Sequence, residues 1–405
     1  MENDRISAFE DGPPATPDWD PLASNGETDP AALYARLRTE CPVAYSERYG
    51  GFWSLTRYDD IARAALDTET FSSATLATIP PLGGPRRIPL ESDPPEHTSI
   101  RRILQPYFNP AAVQVLEPGI RRHVTELLAP LLQVGGGDAV SALTHPLPIR
   151  VLCELLHVPL AAFPEIERWS RAVVGAAVRE DQNALREANE GFAACVRGIV
   201  AERRSEPLDP AVNVISALFA ATIEGRPLSE AEIVGITRLI LSAGHSTTTD
   251  GLGNALLRLA RDADLQDRLR ATPDPGLVRS AVEEFLRLDA PIQSRGRTVT
   301  REVEIAGRHL RAGDRVSLVV GSANRDSAAF ADPDSCEVQR RPNRHMAFGY
   351  GIHRCIGEHL ARIEMRIALE EVLARTRSFR LNGPAARRPW PQLGVSRLPL
   401  AIDPR

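Results

Sequence analysis

Phe348-Gly-Tyr-Gly-Ile-His-Arg-Cys355-Ile-Gly357 decides the reading of this chain. Three glycines, a histidine and a cysteine fall within ten residues, and an apolar, helix-like run follows over 358–374. Gly349, Gly351 and Gly357 let the backbone turn sharply and approach a flat group without a Cβ in the way. Cys355 falls where the loop meets the start of the helix. There the positive helix end and free backbone N–H groups favour a thiolate over a thiol. The ordinary alternative for a lone cysteine is a buried core thiol. A zinc site could draw on Cys355, His359 and His345, but no second cysteine is near to complete the set. The Gly349-x-Gly351-x-x-Arg354 run lacks the third glycine and the strand-to-acid pattern of a dinucleotide loop.

Composition narrows the chemistry. The 405 residues carry a net charge of −5, which argues against a general nucleic-acid binder. No apolar run approaches the length of a membrane span, so no membrane partner is expected. All 48 basic residues are arginine; without lysine there is no Schiff base, pyridoxal anchor or Walker lysine. The five cysteines are scattered without a C-x-x-C, which speaks against a disulfide framework and for a cytoplasmic protein. Residues 1–28, rich in Pro, Asp and Gly, read as a flexible N-terminal arm, and 29–405 as a single domain.

A thiolate in such a loop is a natural axial ligand for haem iron and favours O–O cleavage. Phe348-x-x-Gly351-x-His353-x-Cys355-x-Gly357 resembles the haem-binding signature of the cytochrome P450 family, with every position filled. The resemblance implies haem b held through Cys355, beside Phe348 and Gly349, in a mainly α, triangular haem-thiolate fold with a smaller β portion. Three further motifs stand in the family's order. In Asp93-Pro-Pro-Glu-His97-Thr-Ser-Ile-Arg101 the prolines open a helix, and His97 and Arg101 share a face four residues apart. Such a face is by default solvated; the resemblance makes both residues partners of the haem propionates, together with Arg297 and His353.

Ser229-x-x-Glu232 is a capping box opening a helical pattern that extends to residue 262. Its middle, Ala243-Gly244-His245-Ser246-Thr247-Thr248-Thr249, combines an interior glycine with consecutive β-branched residues, each weakening a helix by about 0.5–1 kcal/mol. Gly244 reads either as a packing notch or as room for a cofactor. The segment resembles the family's oxygen-binding helix, with Thr247 as the family threonine. The acid that usually precedes it, which relays protons during oxygen activation, is Ser246 here. Asp250, one turn on, is the candidate replacement. Glu284-x-x-Arg287 is an i,i+3 pair, which the resemblance makes a buried network completed by Arg340 rather than Arg341.

The remaining chain reads as a helix over 29–40, a hairpin over 43–56, a helix over 58–66 and a proline-rich loop over 72–89. Amphipathic helices cover 110–228, broken at Gly135-Gly-Gly137, Pro159, Pro164, Pro207 and Gly225; a helix spans 276–288, and short strands follow over 298–305, 309–311 and 315–320. The turn-rich 379–400 folds a hairpin back over the cofactor. By matching positions Leu239, Ala243 and Ile292 face the substrate, under part of the 72–92 loop. Arg86, Arg87 and Arg295 read as solvated loop arginines, with contact to an anionic substrate group as the alternative. The implied activity is monooxygenation of a small organic molecule by dioxygen, with electrons from a separate ferredoxin or flavodoxin. A second reading, motivated by Ser246, keeps the haem but performs coupling, desaturation, dehydration or peroxide-driven chemistry. A third is a non-enzymatic haem-thiolate sensor.

Overall fold

The computed structural model describes residues 13–23, 29–271, 275–388 and 390–405. Helices dominate, with a five-stranded sheet on one flank and a three-stranded sheet on another. In the larger sheet Val43–Ser46 and Phe52–Leu55 form the expected antiparallel hairpin, which continues into Arg315–Leu318, Arg295–Val299 and Phe71–Ser72. The strand expected over 298–305 is two strands, Arg295–Val299 and Val303–Ile305. They break apart where Thr300 N–H donates to Thr70 O instead of continuing a ladder.

The break expected at Gly135-Gly-Gly137 is present, with Gly135 capping helix Glu117–Val134, and the chain then enters a strand, Gly136–Asp138, paired with Pro399–Pro404. Only glycine fits there. At φ +144° a Cβ on Gly136 would lie 2.2 Å from Leu400 O. The N-terminal arm also departs from expectation within 13–23. Trp19 is 6% exposed and packs against Phe52 and Trp390, and Asp18 accepts from Tyr45 N–H at 2.7 Å. An aromatic anchor and a β-edge hydrogen bond outweigh the disorder-prone composition. The rest of that arm, 1–12 and 24–28, lies outside the described residues.

The organising element is the helix Glu230–Arg261, opened by the Ser229/Glu232 capping box. Its first half contributes Ile233, Ile236, Ile240 and Leu241 to a core shared with helices Phe163–Val178 and Gln182–Ser205. Its second half contributes Leu252, Ala255, Leu256 and Leu259 to another core, with Glu117–Val134, Pro275–Leu288 and Glu358–Arg375. The small and polar stretch 242–249 lies at the crossover between the two cores. That is where the cavity opens.

Glu284 and Arg287 have no solvent exposure and pair at 2.7 Å. Glu284 also accepts from Arg340 Nε at 3.2 Å, Glu337 N–H at 2.8 Å and Asn343 Nδ2 at 3.1 Å. Arg287 donates to the carbonyls of Asn324, Pro333 and Ser335. Arg340, not Arg341, completes the set. A buried ion pair is costly to break because its remaining partner stays desolvated. Arg287→Ala is therefore expected to cost roughly 3–5 kcal/mol, measured as a lower urea midpoint in equilibrium unfolding.

Candidate active site

The loop carrying Cys355 is held from several sides. Met346 N–H donates to Asn324 Oδ1 at 2.6 Å, and Cys355 N–H donates to Phe348 O at 2.7 Å. Arg362, paired with Glu283 and Glu358, lies over the Phe348 ring at 4.3 Å. Gly351, at φ +69°, abuts the end of helix Tyr58–Leu66, where a Cβ would come within 2.6 Å of Ala65 O. The chain must turn there without a side chain, and the turn aims Cys355 into a cavity of about 350 Å³. The residue is exposed from the cavity side yet enclosed by protein. Burial pushes its thiol up, opposed by a hydrogen bond from Gly357 N–H and by the charge of Arg295. The helix terminus expected to secure a thiolate does not by itself outweigh desolvation; a bound metal ion is what would deprotonate it outright.

One edge of the same cavity is crowded with basic side chains. His97 and His353 lie with ring centroids 4.3 Å apart. His97 Nδ1, His353 Nε2 and Arg297 Nε are buried without hydrogen-bond partners. Burial, then the charge of Arg101, lowers His97 to about 4. Burial, then Arg295, lowers Arg297 to about 10. Asp93, the nearest acid in sequence, is engaged by Ser72 Oγ and Ser73 N–H. A cluster of this kind awaits an anion.

The opposite wall is the central helix. Leu239, Ala243, Ser246 and Thr247 line the cavity, as does Ile292 beside it. Thr247 Oγ1 donates back to Ala243 O at 3.1 Å. Pro391 and Gln392, held by Gln293 N–H and a bridge to Ile292, bring the C-terminal segment over the cavity, and Ile79, Leu82 and Leu90 come from the 72–92 loop.

Two expectations need correction here. Gly244 borders the cavity, but the space left by its missing side chain is filled by Leu152, whose Cδ1 would lie 3.0 Å from a Cβ. It is a helix-packing notch. Asp250 is turned away from the cavity toward the C-terminal loop, 2.8 Å from Arg388 Nε and packed against Gly394. An ion pair fixes it there, so the predicted relay through Asp250 has no support.

A family model for cytochrome P450 matches residues 149–274 and 276–400. Cytochrome P450 130 of Mycobacterium tuberculosis is 35% identical, over 92% of this chain and 94% of its own. Vitamin D(3) 25-hydroxylase of Pseudonocardia autotrophica is 34% identical over 93% and 94%. The solved structure of CYP109E1 from Bacillus megaterium with testosterone superposes with a TM-score of 0.85 at 31% identity, covering 93% of this chain and 99% of that one. This chain belongs to the cytochrome P450 family.

A cytochrome P450 is a haem-iron monooxygenase acting on a small molecule with dioxygen, and the residues present fit that cofactor. They offer one cysteine sulfur on one wall, unpartnered cations for acidic side groups along an edge, and apolar surfaces between. No described helix is long and apolar enough to cross a membrane.

Sequence reasoning overlooked Glu364. It is 1% exposed, borders the cavity, has Oε2 without a partner, and burial alone holds its carboxyl far above the usual range. Its neighbour Met365 sits against Gly251 of the central helix, with Sδ 3.3 Å from where a Cβ would be. The available signal was an acid on the buried stripe of helix Glu358–Arg375. The arginines read as solvated divide. Arg86 is exposed and pairs with Glu96, but Arg87 is buried on Glu91 and Arg295 lines the cavity. Arg238, buried in the central helix, also borders it.

Burial raises Asp250 to about 7 despite Arg388. Between about pH 4 and 7 the folded state then binds a proton that the unfolded state has released, so this group lowers stability as pH rises through that window. Asp250→Asn removes the effect. Unfolding free energies measured from pH 4 to 8 should show the variant gaining on wild type up to about pH 7 and level beyond it.

Proposed function

We propose that this cytochrome P450 is a cytoplasmic haem b enzyme that inserts one oxygen atom from dioxygen into a C–H bond of an organic substrate. Its electrons come from a separate ferredoxin or flavodoxin. The observation that carries the reading is the pairing, around one apolar cavity, of an open cysteine sulfur with a cluster of buried basic side chains whose His97 Nδ1, His353 Nε2 and Arg297 Nε have no hydrogen-bond partner. Cys355 would hold the iron, and His97, Arg101, Arg297 and His353 the haem carboxylates; Phe348 and Gly349 shape the loop. When bound, haem supplies the oxygen activation and the oxidising power, and the protein supplies position and exclusion of water.

The chain's own part is proton handling and placement. Thr247, its hydroxyl hydrogen back-bonded to Ala243 O, presents oxygen lone pairs toward the cavity and orders water there. With Ser246 in place of an acid, Glu364, whose carboxyl burial shifts toward the protonated form, stands as the buried source of protons. Leu239, Ala243 and Ile292 confine the substrate against the haem. The second reading, oxidative chemistry without oxygen insertion, draws on Ser246 and on the turning away of Asp250.

Labelled dioxygen decides between them. With a turned-over substrate, one labelled atom per product molecule is expected; label confined to water would favour the second reading. Glu364→Gln is expected to lower the share of electrons reaching product by about tenfold, below the roughly 10²–10⁴-fold of a full general acid–base contribution because water can still deliver protons, with peroxide making up the difference. Asp250→Asn should leave that share near wild type, both read as product and peroxide per electron donor consumed.

A further inference from the structure

Arg238 is a charge on the apolar part of the cavity that nothing in the fold requires. It sits two residues past Ile236 and one before Leu239 on the central helix, 2% exposed, and borders the cavity among Phe192, Leu239, Ile240 and Leu82. No described acid pairs with it. The nearby carboxylate, Glu91, is occupied by Arg87 through Nε at 3.0 Å, through a closer contact to Nη2, and through the Arg87 backbone N–H at 2.7 Å. Arg238 Nη2 donates to Asn189 Oδ1, and the guanidinium lies 5.0 Å from the Phe192 ring. Those contacts fix its direction without neutralising it. Nε and Nη1 are buried with no partner at all.

The isolation of this group is expensive. A desolvated cation without a counter-ion costs several kcal/mol, and unpaired buried N–H groups add to that. The cation cluster near Cys355 has an explanation in the haem carboxylates. Arg238 has none, because it stands on the substrate side of the helix, nine residues before Thr247. That separation is about 13 Å along the axis. The surrounding anchors are rigid: Asn189 Nδ2 donates to Leu82 O and Leu185 O, and Gly235 carries the Arg86 carbonyl directly against the helix. The guanidinium is therefore held at the junction of the central helix, helix Gln182–Ser205 and the loop over the cavity.

We infer that Arg238 is the anchor for a carboxylate on the substrate, and that the substrate is an amphipathic organic acid with an apolar body reaching toward Thr247. The inference rests on the monooxygenase reading of the cavity and adds the substrate class and the end by which it is held. Because the anchor is remote from Thr247, oxidation falls on the apolar body far from the carboxylate rather than beside it.

The test uses the haem-loaded enzyme with octanoic, dodecanoic and hexadecanoic acids and their primary amides, at a pH where the acids are ionised. Affinities are read by titration calorimetry and by the shift of the Soret band. At one chain length or more, the acid should bind at least about tenfold more tightly than its amide, as expected when a buried cation gains or lacks its counter-charge. Arg238→Gln should abolish that preference while leaving amide affinity near wild type, and Arg238→Lys should retain the preference. Should the glutamine variant fail to load haem, the wild-type and lysine comparisons decide. The inference is overturned if no acid outbinds its amide in the wild type, or if the preference survives Arg238→Gln or disappears in Arg238→Lys. The reduced carbon monoxide complex keeps the two readings apart. Absence of the thiolate-type Soret band would overturn the haem-thiolate reading, whereas calorimetric absence of acid preference in the wild type, with that band intact, overturns only the role of Arg238.

Discussion

One carboxylate with no access to solvent, Glu284, ties the helix that carries it to the segment leading into Cys355. It can remain ionised there only because Arg287, Arg340, Asn343 and a backbone N–H surround it, and each of those partners is thereby fixed in turn. Arg287 passes the constraint to the carbonyls of Asn324, Pro333 and Ser335, and Asn324 receives Met346 N–H at the entry to the loop. The cysteine is positioned by a chain of hydrogen-bonded polar groups, not by its immediate neighbours alone. This matters because the loop's glycines leave room for a flat ligand but make no side-chain contacts that would hold it.

The cavity shows the opposite electrostatic state. Around Glu284 every charge is matched, whereas Arg297, His97, His353 and Arg238 carry buried nitrogen atoms with no partner. A fold tolerates such groups when a ligand completes them, and the ligand-free protein stores the desolvation cost as affinity. The two sets of orphans line different parts of one cavity: His97, His353 and Arg297 lie near Cys355, and Arg238 lies nine residues before Thr247 on the central helix. The crossover of the helix between two hydrophobic cores makes this division possible, since the stretch 242–249 need not fill either core and is free to be small and polar.

Much of the site was legible because it is local in sequence. The loop signature, the His97/Arg101 spacing, the capping box and the i,i+3 pair each fall within ten residues, and helical or turn geometry carries short spacings faithfully into space. The choice of Arg340 over Arg341 followed the same logic. Failures came where the decisive contact is long-range. Asp250 shares a helical face with Ser246, yet Arg388, 138 residues away, pulls it to the C-terminal loop. Gly244 serves Leu152, and beyond the helix break that the glycines marked correctly, Gly136 and Gly137 also form a strand because the C-terminal strand needs close backbone approach. Glu364 and Arg238 escaped notice because their meaning is the absence of a partner, which no local pattern encodes.

The sequence alone determined the glycine-rich loop of Cys355 and the helix that faces it, because these depend on residue types at fixed short separations, and its resemblance to the cytochrome P450 family implied the class of chemistry. The absence of lysine and the lone Cys355 had already removed most alternatives. Only the tertiary structure decided which acids and arginines look into the cavity. Burial and pairing are properties of three-dimensional neighbourhoods, and a charge acquires its chemical role from what is left unpaired around it.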